Sequence, residues 1–232
     1  MTSSGRRDSG VLACTDLGKA YATERGEVEA VRGIDLEIAP GVYAAIVGRS
    51  GSGKSSLMAM IGGLSRPTRG KVHVEGTDIW ALSDSRLATF RNHRIGFVFQ
   101  FASLLASLRI IDNVALPALL GRRTDAAAAY GAAAVLLDRL GLADFADAYP
   151  PEISAGEQRR AVIARALINE PAMLLADEPT SDLDEQTEIE LMDQLRALNR
   201  ERGMTLITVT HNLRLAEQAD RVLHIADGRL IS

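Results

Sequence analysis

The stretch that leaves this chain the fewest ways to fold is Gly48-Arg49-Ser50-Gly51-Ser52-Gly53-Lys54-Ser55. It follows an apolar run, Val42 to Val47, that reads as a buried strand, and it opens Lys54 to Ile61, whose composition favours helix. Strand, loop and helix in this order are the context in which G-x-x-x-x-G-K-[ST] is a phosphate cradle. Its glycines let backbone N–H groups turn inward around phosphate oxygens, and the helix N-terminus adds partial positive charge beneath them. In such a cradle Lys54 is expected to reach the β- and γ-phosphates and the Ser55 hydroxyl to ligate Mg²⁺, with Ser56 next along the helix.

Composition narrows the rest. At roughly 150 residues per domain, 232 residues make one compact unit with an inserted piece. The 47% hydrophobic and 24% charged fractions belong to an ordinary globular chain and exclude disorder. Lys and Arg number 26 against 30 Asp and Glu, a net charge of −4, so no overall basic field draws the chain onto nucleic acid. The single cysteine, Cys14, can close no internal disulfide and build no zinc cluster, which suits a reducing cytosol. Met1 to Gly10 is polar with no apolar stretch behind it and is expected to be a flexible tail. The longest uncharged stretch, Ala126 to Leu137, falls short of the roughly 18 apolar residues of a membrane span.

Along the chain, Val11 to Val47 shows short β-type runs broken by turn signals such as Ala39-Pro40-Gly41, predicting an antiparallel sheet that leads into the buried strand. A hairpin-like piece, Lys71 to Ile79, precedes the apolar run Ile95 to Phe99. From about Ser103 to Leu142 the chain turns alanine- and leucine-rich and predicts inserted helices. β/α alternation resumes with a strand at Met173 to Ala176, a helix near Asp184 to Arg200, a strand at Thr205 to Thr210 and a hairpin turned at Asp227-Gly228. The expected organisation is a tail over 1–10 and one α/β domain over 11–232, with a helical insertion at about 101–158.

A phosphate cradle alone does not separate GTPases, kinases and ATPases. Asp177 and Glu178 close the apolar run at Met173 to Ala176, so both acids project from the carboxyl end of a buried strand, where ligands bind in such sheets. Asp177 suits holding Mg²⁺ through water, and Glu178 suits polarising an attacking water. No N-K-x-D motif follows, which disfavours a GTPase.

Ile153-Ser154-Ala155-Gly156-Glu157-Gln158 lies ahead of this acidic pair, Gln100 ends the run from Ile95, Ser181-Asp182-Leu183-Asp184 follows the pair, and His211 follows the next strand. Together with Tyr21 and the phosphate loop, these motifs resemble, in their order, the ATP-binding cassette proteins over nearly the whole chain from Val11. The resemblance implies a P-loop NTPase cassette with a RecA-like core, an antiparallel β subdomain and an inserted α-helical subdomain, binding ATP and Mg²⁺. By the same resemblance, Tyr21 stacks on adenine and Gln100 links Mg²⁺ and the attacking water to a permease interface. Ser154, Ala155, Gly156 and Glu157 form the signature, Asp184 belongs to the D-loop, and His211 contacts the γ-phosphate. Cassettes of this kind pair head to tail, so Ser154 and Gly156 are expected to act in trans and a second copy of the chain is implied.

The chain departs from the family pattern at Ile153, Ala155 and Asp182. Alanine carries a penalty if the backbone at 155 needs φ > 0, and closure on ATP is then expected to weaken. His73, His93, His224, Trp80 and Cys14 read as structural, and the acidic helix from Asp184 to Glu190 reads as a solvated face. Gly96 to Phe101, Leu104-Leu105 and Asn113 to Pro117 look like the lipoprotein-release and macrolide-export branch, the LolD/MacB type. That likeness implies a cytoplasmic ATPase held at the inner face of the cell membrane by separate FtsX-like permease subunits, with room for a periplasmic or extracellular adaptor. Two other outputs fit the same chain: a mechanical ATPase acting on nucleic acid or ribosomes, and a regulator of an extracytoplasmic partner without cargo. The acidic balance and the lack of a coiled-coil insertion weigh against the first.

Overall fold

The computed structural model describes residues 10–24, 26–101, 103–121, 124–181 and 183–231; most of the expected N-terminal tail, and Asp182, lie outside them. The chain begins with β1 (Leu12–Thr23), β2 (Gly26–Ile38), β3 (Tyr43–Val47) and α1 (Lys54–Ile61). It continues with β4 (Arg69–Val74), β5 (Thr77–Asp78), α2 (Asp84–Arg94) and β6 (Ile95–Val98). Between β6 and β7 (Met173–Asp177) the regular structure is helical, with α3 (Ile110–Gly121), α4 (Ala126–Arg139), α5 (Ala155–Leu167) and two single 3₁₀ turns. The last part runs α6 (Glu185–Arg202), β8 (Thr205–Val209), α7 (Leu213–Ala216), β9 (Arg221–Ala226) and β10 (Arg229–Ile231).

Two sheets organise these elements. One is antiparallel in the order β2-β1-β4-β5, and the other runs β10-β9-β3-β8-β7-β6, parallel from β9 to β6 with β10 antiparallel at its edge. Every residue of β3 and β8 is buried, as expected for parallel strands covered on both faces. Alternation then divides their side chains between two cores. Leu174 and Leu206 pack with Ile110, Val114, Leu137 and Val162 of the helices, whereas Leu175 and Ile207 pack with Leu57 and Ile61 of α1 and Ile34 of β2. No helix among the described residues is long and apolar enough to cross a membrane.

Neighbouring strands β3, β8, β7 and β6 all point their carboxyl ends the same way. Gly48, His211, Glu178 and Gln100 follow those ends closely and so share one rim of the sheet. The sequence boundaries need small adjustments: β7 includes Asp177, α6 starts after Asp184, and the signature opens α5.

The segment that follows Gln100 is fixed by a fully buried amide. Asn113 on α3 donates through Nδ2 to the carbonyls of Leu105, Leu108 and Arg109 at 3.0–3.1 Å, and its Oδ1 accepts from the Leu105 N–H at 2.7 Å. Asn113→Leu keeps the volume but removes all four bonds; the Leu105 and Arg109 carbonyls keep the backbone N–H groups of residues 108 and 113, while the Leu105 N–H and the Leu108 carbonyl lose this partner, at an expected cost of roughly 1–3 kcal/mol. Urea unfolding checks this: the midpoint should fall with the slope unchanged, and an unaltered midpoint would remove the pin from the account.

Candidate active site

The cradle depends on close approach by two other parts of the chain. Gly53 caps α1 at φ 104°, and a Cβ there would lie 2.3 Å from the carbonyl oxygen of Ala30 on β2. A Cβ on Gly48 would lie 2.3 Å from the Ile225 carbonyl oxygen of β9 and 2.8 Å from Ser52 Oγ. The loop therefore needs glycine at both ends for space, and at Gly53 for backbone angle as well. Gly228 N–H donates to the Ser52 carbonyl at 3.0 Å, and the Arg32 N–H donates to Gly228 at 2.8 Å, so the terminal hairpin braces the loop against β2. Lys54 Nζ arches back over the loop to the carbonyls of Gly48 and Arg49 at 2.7 and 3.0 Å.

A cavity of about 420 Å³ joins this loop to the strand ends, lined by Gly48, Ser50, Gly51, Gly53, Lys54, Ser55, Ser56, Gln100, Asp177, Glu178 and His211 among others. Asp177 accepts a hydrogen bond from the Ser55 side chain. Burial pushes its carboxyl above the usual range, and neighbouring Glu178 adds to this, while Ser55 and Lys54 oppose it. A hydroxyl, a carboxylate and the side-chain amide of Gln100 around one cavity are an oxygen set that suits Mg²⁺, which takes few protein ligands and completes its shell with phosphates and water.

Glu178 is held in an uncommon conformation for a residue with a Cβ, φ 47°. Its N–H donates to the Val209 carbonyl at 2.9 Å and its own carbonyl accepts from the Ser181 N–H at 3.1 Å, so the turn is bonded on both sides. His211 Nδ1 lies 2.9 Å from Glu178 Oε2. Tyr21, 41% exposed on β1, stands at the cavity's rim with its hydroxyl 3.3 Å from Ser56 Oγ and the Lys19 ammonium 5.0 Å from its ring centre.

The remaining expected site residues gather elsewhere. Ser154 caps α5 in a closed capping box: Glu157 accepts from both the Ser154 N–H and hydroxyl at 2.7 Å, and donates its own N–H to Ser154 Oγ at 3.3 Å. These bonds hold the Glu157 carboxyl below its ordinary range. Asp184 caps α6 by accepting from the Thr187 N–H and hydroxyl at 3.0 and 2.6 Å. A Cβ on Gly156 would sit 3.0 Å from the Thr187 methyl, so the two caps abut. None of Ser154, Ala155, Gly156, Glu157 or Asp184 lines the phosphate cavity. Ala155 occupies the first helical position with no positive φ, so the penalty expected of alanine there does not arise in this conformation.

Of the side chains expected to be structural, Cys14 is buried, with desolvation and Asp35 pushing its thiol up to about 12, and Trp80 Nε1 donates to the Met60 carbonyl at 3.1 Å. Sequence reading missed Arg159, which is 5% exposed on α5 and donates to the carbonyls of Phe99 and Gln100 at 2.8 and 2.7 Å. It also missed Glu188. The acidic helix is solvated at Glu185 and Glu190, but Glu188 turns inward to Thr180 and Asn212. Neither residue carries a local signal, since their partners lie far off in sequence.

Comparison with known proteins agrees with this geometry. The family model described as ABC transporter matches residues 31–181. The lipoprotein-releasing system ATP-binding protein LolD of Geobacter metallireducens is 45% identical over 226 residues, covering 97% of this chain and 99% of the relative. LolD of Syntrophotalea carbinolica is 44% identical, covering 97% and 98%. Among solved structures, the dimeric ATP-binding cassette MJ0796 in a post-hydrolysis state with ADP and Pi superposes with a TM-score of 0.89 at 34% identity, covering 95% of this chain and 97% of that one.

A raised carboxyl at Asp177 means that its ionised form costs folding stability above the raised value and costs nothing at pH below the ordinary one. Asp177→Asn is therefore expected to raise the melting temperature of the nucleotide-free protein at neutral pH by about 2 °C, a gain that fades as pH falls through the acid range. The same change should abolish the additional stabilisation given by Mg²⁺ with ATP. Differential scanning calorimetry reads both, and a lower melting temperature at neutral pH would refute the burial argument.

Proposed function

The chain belongs to the ABC transporter family and is an ATP-hydrolysing, ATP-binding subunit, and on that premise we propose that it works as a LolD-like motor in which two copies close around two MgATP and drive separate FtsX-like permease subunits. The observation that carries the pairing is the division of the site. The cavity with the phosphate loop, Asp177, Glu178 and His211 has no lining from Ser154 to Glu157, which instead present the N-terminus of α5 away from it. Such a helix end attracts phosphate oxygens, so a second copy supplying it from the helical insertion, residues about 101–158, completes each site.

Within the cavity Lys54 and the loop N–H groups bind the β- and γ-phosphates, and Tyr21 offers its exposed ring to adenine. Mg²⁺, when bound through Ser55, Asp177 and Gln100, neutralises charge on the phosphates. Glu178 orients the attacking water, the bond from the γ-phosphorus to its bridging oxygen breaks, and ADP and phosphate leave. With Nδ1 donating to the Glu178 carboxylate, His211 can donate to the γ-phosphate through Nε2 only with both ring nitrogens protonated. Catalysis of this kind is positional and electrostatic.

Transmission to the permease is assigned to the surface around Gln100. A groove of about 320 Å³ lined by Leu64, Phe97, Phe99 and Arg165 lies beside exposed Phe101 at 73% and Leu105. Apolar side chains so exposed beside a groove suit the apolar face of a permease segment. This makes the protein peripheral on the cytoplasmic side of the membrane. An extracytoplasmic adaptor fits the LolD/MacB likeness, and a cargo-free regulatory output shares every feature described.

Two experiments test the reading. Glu178→Gln should keep ATP affinity, lower turnover by about 100-fold or more, and elute as a dimer in ATP; a variant that turns over normally refutes the role of Glu178. Phe101→Asp should leave the ATPase activity of the isolated chain unchanged while abolishing co-purification with the permease, and undiminished co-purification removes the docking surface.

A further inference from the structure

β7 ends at Asp177 and β8 at Val209, so Glu178 and His211 stand on short segments just past their strands. Glu188, in the first turn of α6, reaches both segments at once. Its Oε1 accepts from the Thr180 hydroxyl at 2.6 Å, and its Oε2 accepts from Asn212 Nδ2 at 3.0 Å. Thr180 is 6% exposed and lies two residues after Glu178; Asn212 directly follows His211. The 2.9 Å contact of His211 with Glu178 closes the circuit, so Glu178, Thr180, Glu188, Asn212 and His211 form a ring.

The orientation of the Asn212 amide is dictated by its neighbours. Its Oδ1 accepts from the Arg214 N–H at 3.1 Å and caps α7, which leaves Nδ2 for Glu188. Its backbone N–H is bonded to Thr210 Oγ1 at 3.0 Å. Asn212 must therefore donate to residue 188, and the Glu188 carboxylate accepts from both sides. A charged acceptor shared by two neutral donors makes each bond stronger than a neutral pair would.

We propose that Glu188 is a positioning residue for hydrolysis, a strut that holds the Glu178 segment and the His211 segment in one register. This rests on the reading of Glu178 and His211 as the pair that handles the water and the γ-phosphate. Glu188 touches neither reacting atom; it acts through Thr180 and Asn212.

The test is a cycle of substitutions that alters hydrogen-bond polarity and leaves size nearly constant. Glu188→Gln removes the charge shared by the two bonds but can keep both, its Oε1 accepting from Asn212 and its NH₂ donating to the Thr180 hydroxyl, which can accept as well as donate. Asn212→Asp sets two carboxylates against each other. Combining them restores one donor and one acceptor, and the carboxylate at 212 still caps α7. In steady-state ATPase assays of the full chain, Asn212→Asp should lower kcat about tenfold with KM for ATP within about twofold, Glu188→Gln should lower it by no more than about threefold, and the double variant should recover to within about threefold of the parent. Melting temperatures should not track these losses, because a purely structural role would move stability and KM together. Unchanged kcat in Asn212→Asp, no recovery in the double variant, or losses that follow melting temperature would each overturn the strut. Glu178→Gln assayed alongside separates the two levels. Turnover that survives it removes the reading beneath the proposal, whereas turnover lost there but intact in Asn212→Asp removes the strut alone.

Discussion

A backbone cradle for phosphate is a loop of unpaired N–H groups, and such a loop keeps its shape only when something else holds it. Here the hold comes from opposite parts of the chain: the Ala30 carbonyl presses on Gly53, the Ile225 carbonyl on Gly48, and Gly228 bonds to both Ser52 and Arg32. Any side chain at 48 or 53 would push the loop off its supports. The antiparallel sheet, the parallel sheet and the final hairpin must all be in place before the loop is. Ligand binding and global folding are thus tied through these supports, and ATP is expected to stabilise the whole molecule and not the loop alone.

The same economy appears across the sheet rim. Four adjacent strands deliver Gly48, Gln100, Glu178 and His211 to one edge, while α5 and α6 carry their caps, Ser154 and Asp184, to another cluster that abuts through Gly156 and Thr187. Arg159 ties the two regions: rooted on the signature helix, it grips the carbonyls of Phe99 and Gln100. A shift of α5 when a partner's phosphate is engaged would carry the Gln100 segment with it. The groove beside Phe99 and Phe101 lies on that segment, so the proposed closure on ATP would reach the proposed permease surface by a short mechanical route.

Residues whose roles depend on local order were legible in the sequence. The phosphate loop and the acids after Met173 to Ala176 announce themselves within a few positions, because turn geometry is local physics. What stayed hidden was held by distant partners. Asn113 sits in a motif noticed for its family likeness, yet its side chain bonds to four backbone groups of the preceding loop. Glu188 looked like its exposed neighbours Glu185 and Glu190, and only the fold brings Thr180 and Asn212 to it. The worry over Ala155 assumed a left-handed backbone that the helix start does not adopt.

The central claim is that each ATP site is built from two chains, and complementation in a mixture tests it most directly. Lys54→Ala removes the phosphate contact, and Gly156→Asp places a carboxylate at the helix end expected to face the partner's γ-phosphate; each variant alone should be inactive. Mixed in equal amounts, half of the pairs should be hybrid with one intact site of two, so ATPase activity should return to about a quarter of the parent's value. Full activity of Gly156→Asp on its own, or a mixture as inactive as its parts, would contradict the account.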